Sequence, residues 1–418
     1  MTIRNESDLR TVLDRAVSQV QVTDIHTHTY PADFGKLLLW GIDELLTYHY
    51  LAAETLRWTD VPYDTYWSMT KQQQADLIWQ VLFIDNTPYS EACRGVLTVL
   101  EKLGLDTGKR DLESYRSYFA SMKVEDYIDK VFETAGVKEI VMTNDPFDDL
   151  EFLVWERGGG RTDTRFKAAL RVDPLLNSWS AAGRRLRAWG YEVEADITGK
   201  TIEEVRRFLR DQIDLMGALY LAVSLPPSFR YPEDSERGRL IENCILPVCL
   251  EKGIPFVMMI GVRKLVNPDL KLAGDAVGKS DIDTVLNLCA AYPRNKFMVT
   301  MLARENQHEL CVAARKFRNL MVFGCWWYLN NPSLIEEMTR MRLELLGSSF
   351  IPQHSDARVL DQLIYKWTHS RKIIGEVLFN KYSDLMATGW LPEASEIERD
   401  VDKLFFGNFQ TFLQRELP

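Results

Sequence analysis

No stretch of this sequence is rich in basic residues. Lysines and arginines number 50 against 60 acidic residues, a formal net charge of -10. A chain so charged has no electrostatic footprint for nucleic acid, and none is expected as a partner. Long apolar runs are missing too. FVMMIGV and MVFGCWWYL stop far short of the ~20 residues of a membrane span, so no membrane partner is expected and both read as buried strands. The six cysteines, at 93, 244, 249, 289, 311 and 325, form no C-x-x-C. That excludes a clustered zinc ribbon and fits reduced core cysteines in the cytoplasm. The opening MTIRNESDLRTVLDRAV has no apolar h-region and is not read as a signal peptide. There is no repeat of fixed period and no Ser/Gly-rich linker, so one domain over 1–418 is expected.

What is present is an alternation. Short apolar runs recur at 22–28, 139–145, 166–174, 219–227, 255–263, 296–302, 320–329 and 348–358. Most are continuous rather than alternating, as in parallel strands buried on both faces. Helical stretches such as 201–216, 305–317 and 331–346 lie between them. Eight strand-then-helix units predict an α/β fold, a closed (β/α)8 TIM-type barrel rather than an open sheet. The first gap is out of proportion. Residues 30–137 read as a helical insertion after strand 1, placed to cap the C-terminal face and to donate residues to it.

Histidine is scarce, six in the chain, yet two fall in Asp24-Ile-His26-Thr-His28. Residues two apart on a strand share a face, here the barrel interior at a strand's C-terminal end. Neutral imidazoles side by side suit zinc or a similar divalent ion. The eighth run ends in Gln353-His354-Ser355-Asp356-Ala357-Arg358. Strand 8 neighbours strand 1 in a closed barrel, so Asp356 can complete a three-ligand site with an open position, or stand beside it as a base. Taken alone, Asp356 would equally serve as a cap for the helix that follows.

His-x-His on strand 1 with Asp after strand 8 is the hallmark of the amidohydrolase superfamily. Further along the chain come His49-Tyr50, Thr143-Asn144-Asp145-Pro146, Arg171-Val-Asp173-Pro174, Ile260-Gly261-Val262-Arg263, the Trp326-Trp327 pair and Asp356-x-Arg358. In this order and spacing, from about residue 20 to about 375, the set resembles the uronate isomerase family. Members more often carry a histidine where this chain has Met259. The resemblance implies interconversion of D-glucuronate with D-fructuronate and of D-galacturonate with D-tagaturonate. It also implies one divalent metal, zinc by preference, on His26, His28 and Asp356. Tyr50 and His49 would be acid–base groups with Asp356, and Arg171, Arg263, Trp326 and Arg358 would contact the substrate.

The chemistry suits these residue types. Aldose–ketose conversion through an enediol needs a base for the C2 proton, a proton carrier between O1 and O2, and stabilisation of a negative oxygen. A tyrosine, a weak base at its ordinary pKa of ~10, needs positive charge nearby for such work. An arginine within an apolar strand, as at 171, is costly without an anion, which could be the substrate carboxylate or simply Asp173 or Asp145. Adjacent strand residues face opposite ways, so one of Trp326 and Trp327 is expected inward, against a sugar ring or in the core. His308 and His369 fall in helices and are read as structural. The alternatives are a metal-dependent hydrolase or lactonase of the same superfamily acting on a sugar acid, and a non-catalytic sugar-acid binder. The strand ends LAVSLPPS, MMIGVR and VTMLAR supply no second-metal ligands, which weighs against a two-metal hydrolase. Large barrel enzymes often associate, so a homo-oligomer is within expectation.

Overall fold

The structure, a computed structural model, describes residues 1–418. Seven parallel strands form one curled sheet: β1 (Val22–Thr27), β2 (Val137–Asn144), β3 (Phe166–Arg171), β4 (Leu221–Leu225), β5 (Phe256–Ile260), β6 (Phe297–Met301) and β7 (Leu320–Val322). They follow one another in chain order across the sheet. All seven fall within apolar runs picked out in the sequence, or overlap them by most of their length.

Each strand is buried on both faces, which explains the unbroken apolar runs. Val141, Ala169, Ala222, Val257, Met259, Met298 and Met321 belong to an inner cluster of 16 buried residues. Their neighbours, such as Met142, Met258 and Val299, belong to an outer cluster of 97 under the helices. Phe409 and Phe412, on the helix Asn408–Gln414, join the inner cluster.

The expected eighth strand does not form. Residues 350–357 occupy its place, with one parallel bridge, Phe323 to Ile351. Ile351 N donates to Val322 O and Gly324 N to Ile351 O, while at the far end Asp356 N donates to His26 O and His28 N to Ala357 O. The segment is thus hydrogen-bonded to β7 at its start and to β1 at its end. Two local facts prevent a ladder. Pro352 has no N–H to give, and Asp356 sits at φ 53, outside the extended region.

Between β1 and β2 the chain is helical, as expected of 30–137. His49–Trp58, Glu91–Lys102 and Val124–Ala135 are its longer helices. The last packs on the long helix Gln362–Ala387. Gly136 ends it at φ 63, a left-handed stop that turns the chain directly into β2. No helix is long and apolar enough to cross a membrane, and all six cysteines are buried.

Gly324, at φ 65 where β7 leaves the sheet, lies against His354. A Cβ there would sit 1.7 Å from His354 Nδ1. Gly324→Ala is expected to cost about 1–3 kcal/mol through left-handed strain and overpacking, read as a lower urea midpoint at unchanged slope. An unchanged midpoint would show that the eighth segment is not held by this contact.

Candidate metal and substrate site

The two histidines and the aspartate meet at the carboxyl ends of the strands. His26 Nε2 and His28 Nε2 lie 3.6 and 3.4 Å from Asp356 Oδ1. These three side chains form the molecule's one cluster able to hold a metal ion, with ligand atoms all within 4.8 Å of one another. The register of β1 against β2 breaks between Asp24 and Thr27, around His26, and His28 follows the strand's last residue. Their rings stand perpendicular, with centroids 5.3 Å apart.

Hydrogen bonds select the tautomers. Thr143 Oγ1 donates to Thr27 O at 2.9 Å, so toward His28 Nδ1, 2.8 Å away, it acts as acceptor. Tyr220 likewise gives its proton to Ile25 O and turns its oxygen to His26 Nδ1 at 3.5 Å. Both Nδ1 atoms therefore carry the proton and both Nε2 lone pairs face the carboxylate. Burial pushes both imidazoles below their ordinary pKa, so they are neutral. Burial acts to raise the Asp356 carboxyl, and it falls below the usual carboxylate value only where positive charge, a proton on His28 or His26 or a cation in its place, stands at the Nε2 face. Two lone pairs aimed at an anion repel unless a cation lies between them. That donor set fits a divalent ion, with His26, His28 and Asp356 as its protein ligands.

The aspartate is held in turn. Asp24 accepts from Ser355 N at 3.0 Å and from Trp367 Nε1 at 2.9 Å. Ser355 Oγ accepts from Ala357 N at 3.1 Å. These bonds fix the residues on both sides of Asp356 and so stabilise its left-handed backbone. Burial raises the Asp24 carboxyl to about 6 against the pull of those donors. Sequence reading did not single out Asp24 as a support, although it stands in the same motif.

Above the cluster opens a cavity of about 190 Å³. That is below the ~300–1,000 Å³ of drug-sized sites and suits a small ligand. A roomier surface groove of about 430 Å³ between Leu176 and Arg237 contains no metal-capable cluster. His49, Arg171, Trp326 and Arg358 line the cavity together with His26, His28 and Asp356, as do Tyr48 and Trp327. Both tryptophans reach it because they are not on a strand. β7 ends at Val322, and Trp327 begins a 3-10 turn at φ 47, so the expected opposition of the pair is lost.

Two anticipated residues are not in the lining. Arg263 is exposed on a two-residue strand paired with Ala276–Val277. Tyr50 lies edge-on to Tyr48 and His49, with centroids 4.9 and 4.4 Å away. Tyr48 caps the helix that His49 opens. Successive helical residues diverge by ~100° about the axis, so the three side chains cannot all face one cavity. Tyr48 was the less obvious candidate, and its only signal was the aromatic density of LLTYHYL.

The cations differ. Arg171 Nη2 is 3.0 Å from Asp173 Oδ1, and Asp173 keeps the guanidinium charged despite burial. Arg358 has no carboxylate partner for its guanidinium and stands exposed at the rim. His49 leaves both ring nitrogens without a protein partner, aimed into buried space.

No protein-family model matches the chain, and no curated protein matches it. Among solved structures it is similar to a uronate isomerase from Bacillus halodurans C-125. The two are 57% identical, over 99% of this chain and 98% of that one, with a TM-score of 0.97. The chain belongs to the uronate isomerase family. A uronate isomerase from Thermotoga maritima shares the fold at 15% identity, over 96% and 97% of the two chains, with a TM-score of 0.77. A glucuronate isomerase from Caulobacter crescentus does so at 16%, over 99% and 95%, with a TM-score of 0.67. This member of the family has Met259 in the cavity lining, a thioether where no further divalent-ion ligand is gained.

Burial lowers the His49 imidazole to about 3, and Asp356 opposes that only in part. A histidine neutral when folded and protonated when unfolded makes the unfolded chain bind more protons. Its stabilising share is complete above pH ~6.5 and fades as the pH falls toward the folded value. At pH 5 the loss is about 2 kcal/mol from this residue. Urea unfolding at pH 7.5 and 5 should show His49→Gln losing less stability than wild type over that interval. Equal losses would mean that His49 is not buried neutral.

Proposed function

We propose that this chain interconverts D-glucuronate with D-fructuronate, and D-galacturonate with D-tagaturonate, by enediol proton transfer at a site holding one divalent metal ion, zinc by preference. The observation that carries the reading is the convergence of His26 Nε2, His28 Nε2 and Asp356 Oδ1 beneath a small cavity walled by aromatic and cationic side chains. The likeness to the Bacillus halodurans uronate isomerase supports it.

A divalent ion held there supplies Lewis acidity toward the sugar's oxygens. The remaining work falls to the chain. Arg358, charged and unpaired at the rim, receives the substrate carboxylate, with Arg171 behind it and Arg263 outside the lining as a weaker contact. Trp326 offers an indole face to the carbon skeleton. Asp356, held ionised, takes the C2 proton and returns it to C1. His49, in the cavity lining, and Tyr50, edge-on behind Tyr48 and His49, carry the proton between O2 and O1. The C2–H bond breaks and a C1–H bond forms, one hydroxyl proton moves from O2 to O1, and no oxidant is consumed.

Two measurements test this. Zinc-loaded protein incubated with each uronate in deuterated water should give ketose carrying deuterium at C1, seen by NMR. Ketose without deuterium would mean a shielded proton or a hydride shift, and no ketose from either sugar would overturn the reading. Tyr50→Phe should cost kcat about 100-fold or more with little change in melting. Near-normal turnover would remove Tyr50 from the mechanism and leave Tyr48, which lines the cavity, as the phenol to test.

A further inference from the structure

Behind the aromatic wall lies a charge with no counter-ion. Lys366, on the helix Gln362–Ala387, is only 4% exposed. No carboxylate comes within 4 Å of its Nζ, although eight lysine–carboxylate pairs form elsewhere in the chain. No protein hydrogen-bond acceptor meets it either, and its Nζ keeps only a little accessible surface. Its surroundings are aromatic: Nζ lies 5.8 Å from the ring centroid of Tyr50 and 5.5 Å from that of Tyr365.

An isolated buried ammonium is expensive, by several kcal/mol, and burial without a partner normally selects against it. Burial brings this lysine down to about 8, opposed first by Asp356 and then by Glu91 and Asp24, so it still carries its proton at neutral pH. Packing of the aliphatic stem between two tyrosines would need no charge, since a methionine would fill the same space. The cation's neighbourhood gives the charge a use. Tyr50 touches Tyr48 and His49, which line the cavity, and Lys366 is among the charges that act on His49. A positive charge therefore stands one residue layer behind the wall at which negative charge would build up on the substrate oxygens.

We infer that Lys366 is a positioning residue for the isomerisation, its unpaired buried ammonium acting through the Tyr48–His49–Tyr50 wall to offset the negative charge of the enediolate as it forms. The inference rests on the uronate isomerase reading above. Lys366 touches no substrate and transfers no proton. It holds the Tyr50 ring through a cation–π contact and supplies field, without the counter-ion that would cancel it.

The test compares Lys366→Met and Lys366→Arg with wild type in the metal-loaded enzyme, reading kcat and KM separately, together with metal content and melting temperature. Lys366→Met keeps the stem and removes the charge. It is expected to lower kcat about 10- to 100-fold while KM moves less than about 3-fold. Metal content should be unchanged, and the melting temperature equal or higher, because an uncompensated charge has gone. Lys366→Arg should recover most of kcat. If Lys366→Met turns over within about 2-fold of wild type, the inference is wrong. It is equally wrong if both variants lose metal, stability or KM in step with kcat, since that pattern marks packing alone. Should Lys366→Met fail to fold, the soluble Lys366→Gln and the Arg variant give the same comparison of neutral against charged. Wild-type protein that converts neither uronate would overturn the functional reading itself, whereas active wild type with an unaffected Lys366→Met overturns only the role of Lys366.

Discussion

Two neutral imidazoles and one carboxylate that must meet without a proton between them set the terms for the rest of this molecule. His26 and His28 carry their protons on Nδ1 because Tyr220 and Thr143 have oxygens to receive them. Asp356 is pressed against the bare Nε2 atoms because its neighbours are tied down by Asp24 and Ser355. A cation between the three groups would relieve their mutual repulsion. The barrel supplies the rigidity that keeps the three groups together, and in particular the adjacency of the first strand and the last segment.

That adjacency also explains the irregular eighth position. A regular strand would have carried Asp356 along an extended path. Its left-handed backbone instead redirects the carboxylate toward the histidines, while the hydrogen bonds from Asp356 N to His26 O and from His28 N to Ala357 O keep the segment joined to β1. Gln353 fastens the same segment from the other side, accepting from Cys325 N and His354 N and donating to Asn330 and Ser370. Backbone regularity is given up at the one place where the site needs a particular direction.

Electrostatically the site is asymmetric. Arg171 is already paired with Asp173, whereas Arg358 at the rim and Lys366 behind the aromatic wall are not paired. Of the two unpaired cations, one is exposed and the other buried. In the proposed reaction an anionic substrate meets the first on entry, and the role of the second begins only when further negative charge develops.

The alternation of apolar runs with helical stretches was enough to specify a parallel α/β sheet, its strand order and the place of the long helical insertion, because burial on both faces leaves a mark that survives in one dimension. His26, His28 and Asp356 could be brought together from the sequence for a similar reason: strand periodicity and ring closure are near-neighbour rules. The side-chain directions at Tyr48, Tyr50 and Trp327 could not, since they depend on where a helix begins and where β7 stops. Neither could the pairing of Arg171 or the isolation of Lys366. Whether a charge has a partner is decided by residues distant in sequence, and only the folded chain brings those residues, or their absence, to within a few ångströms.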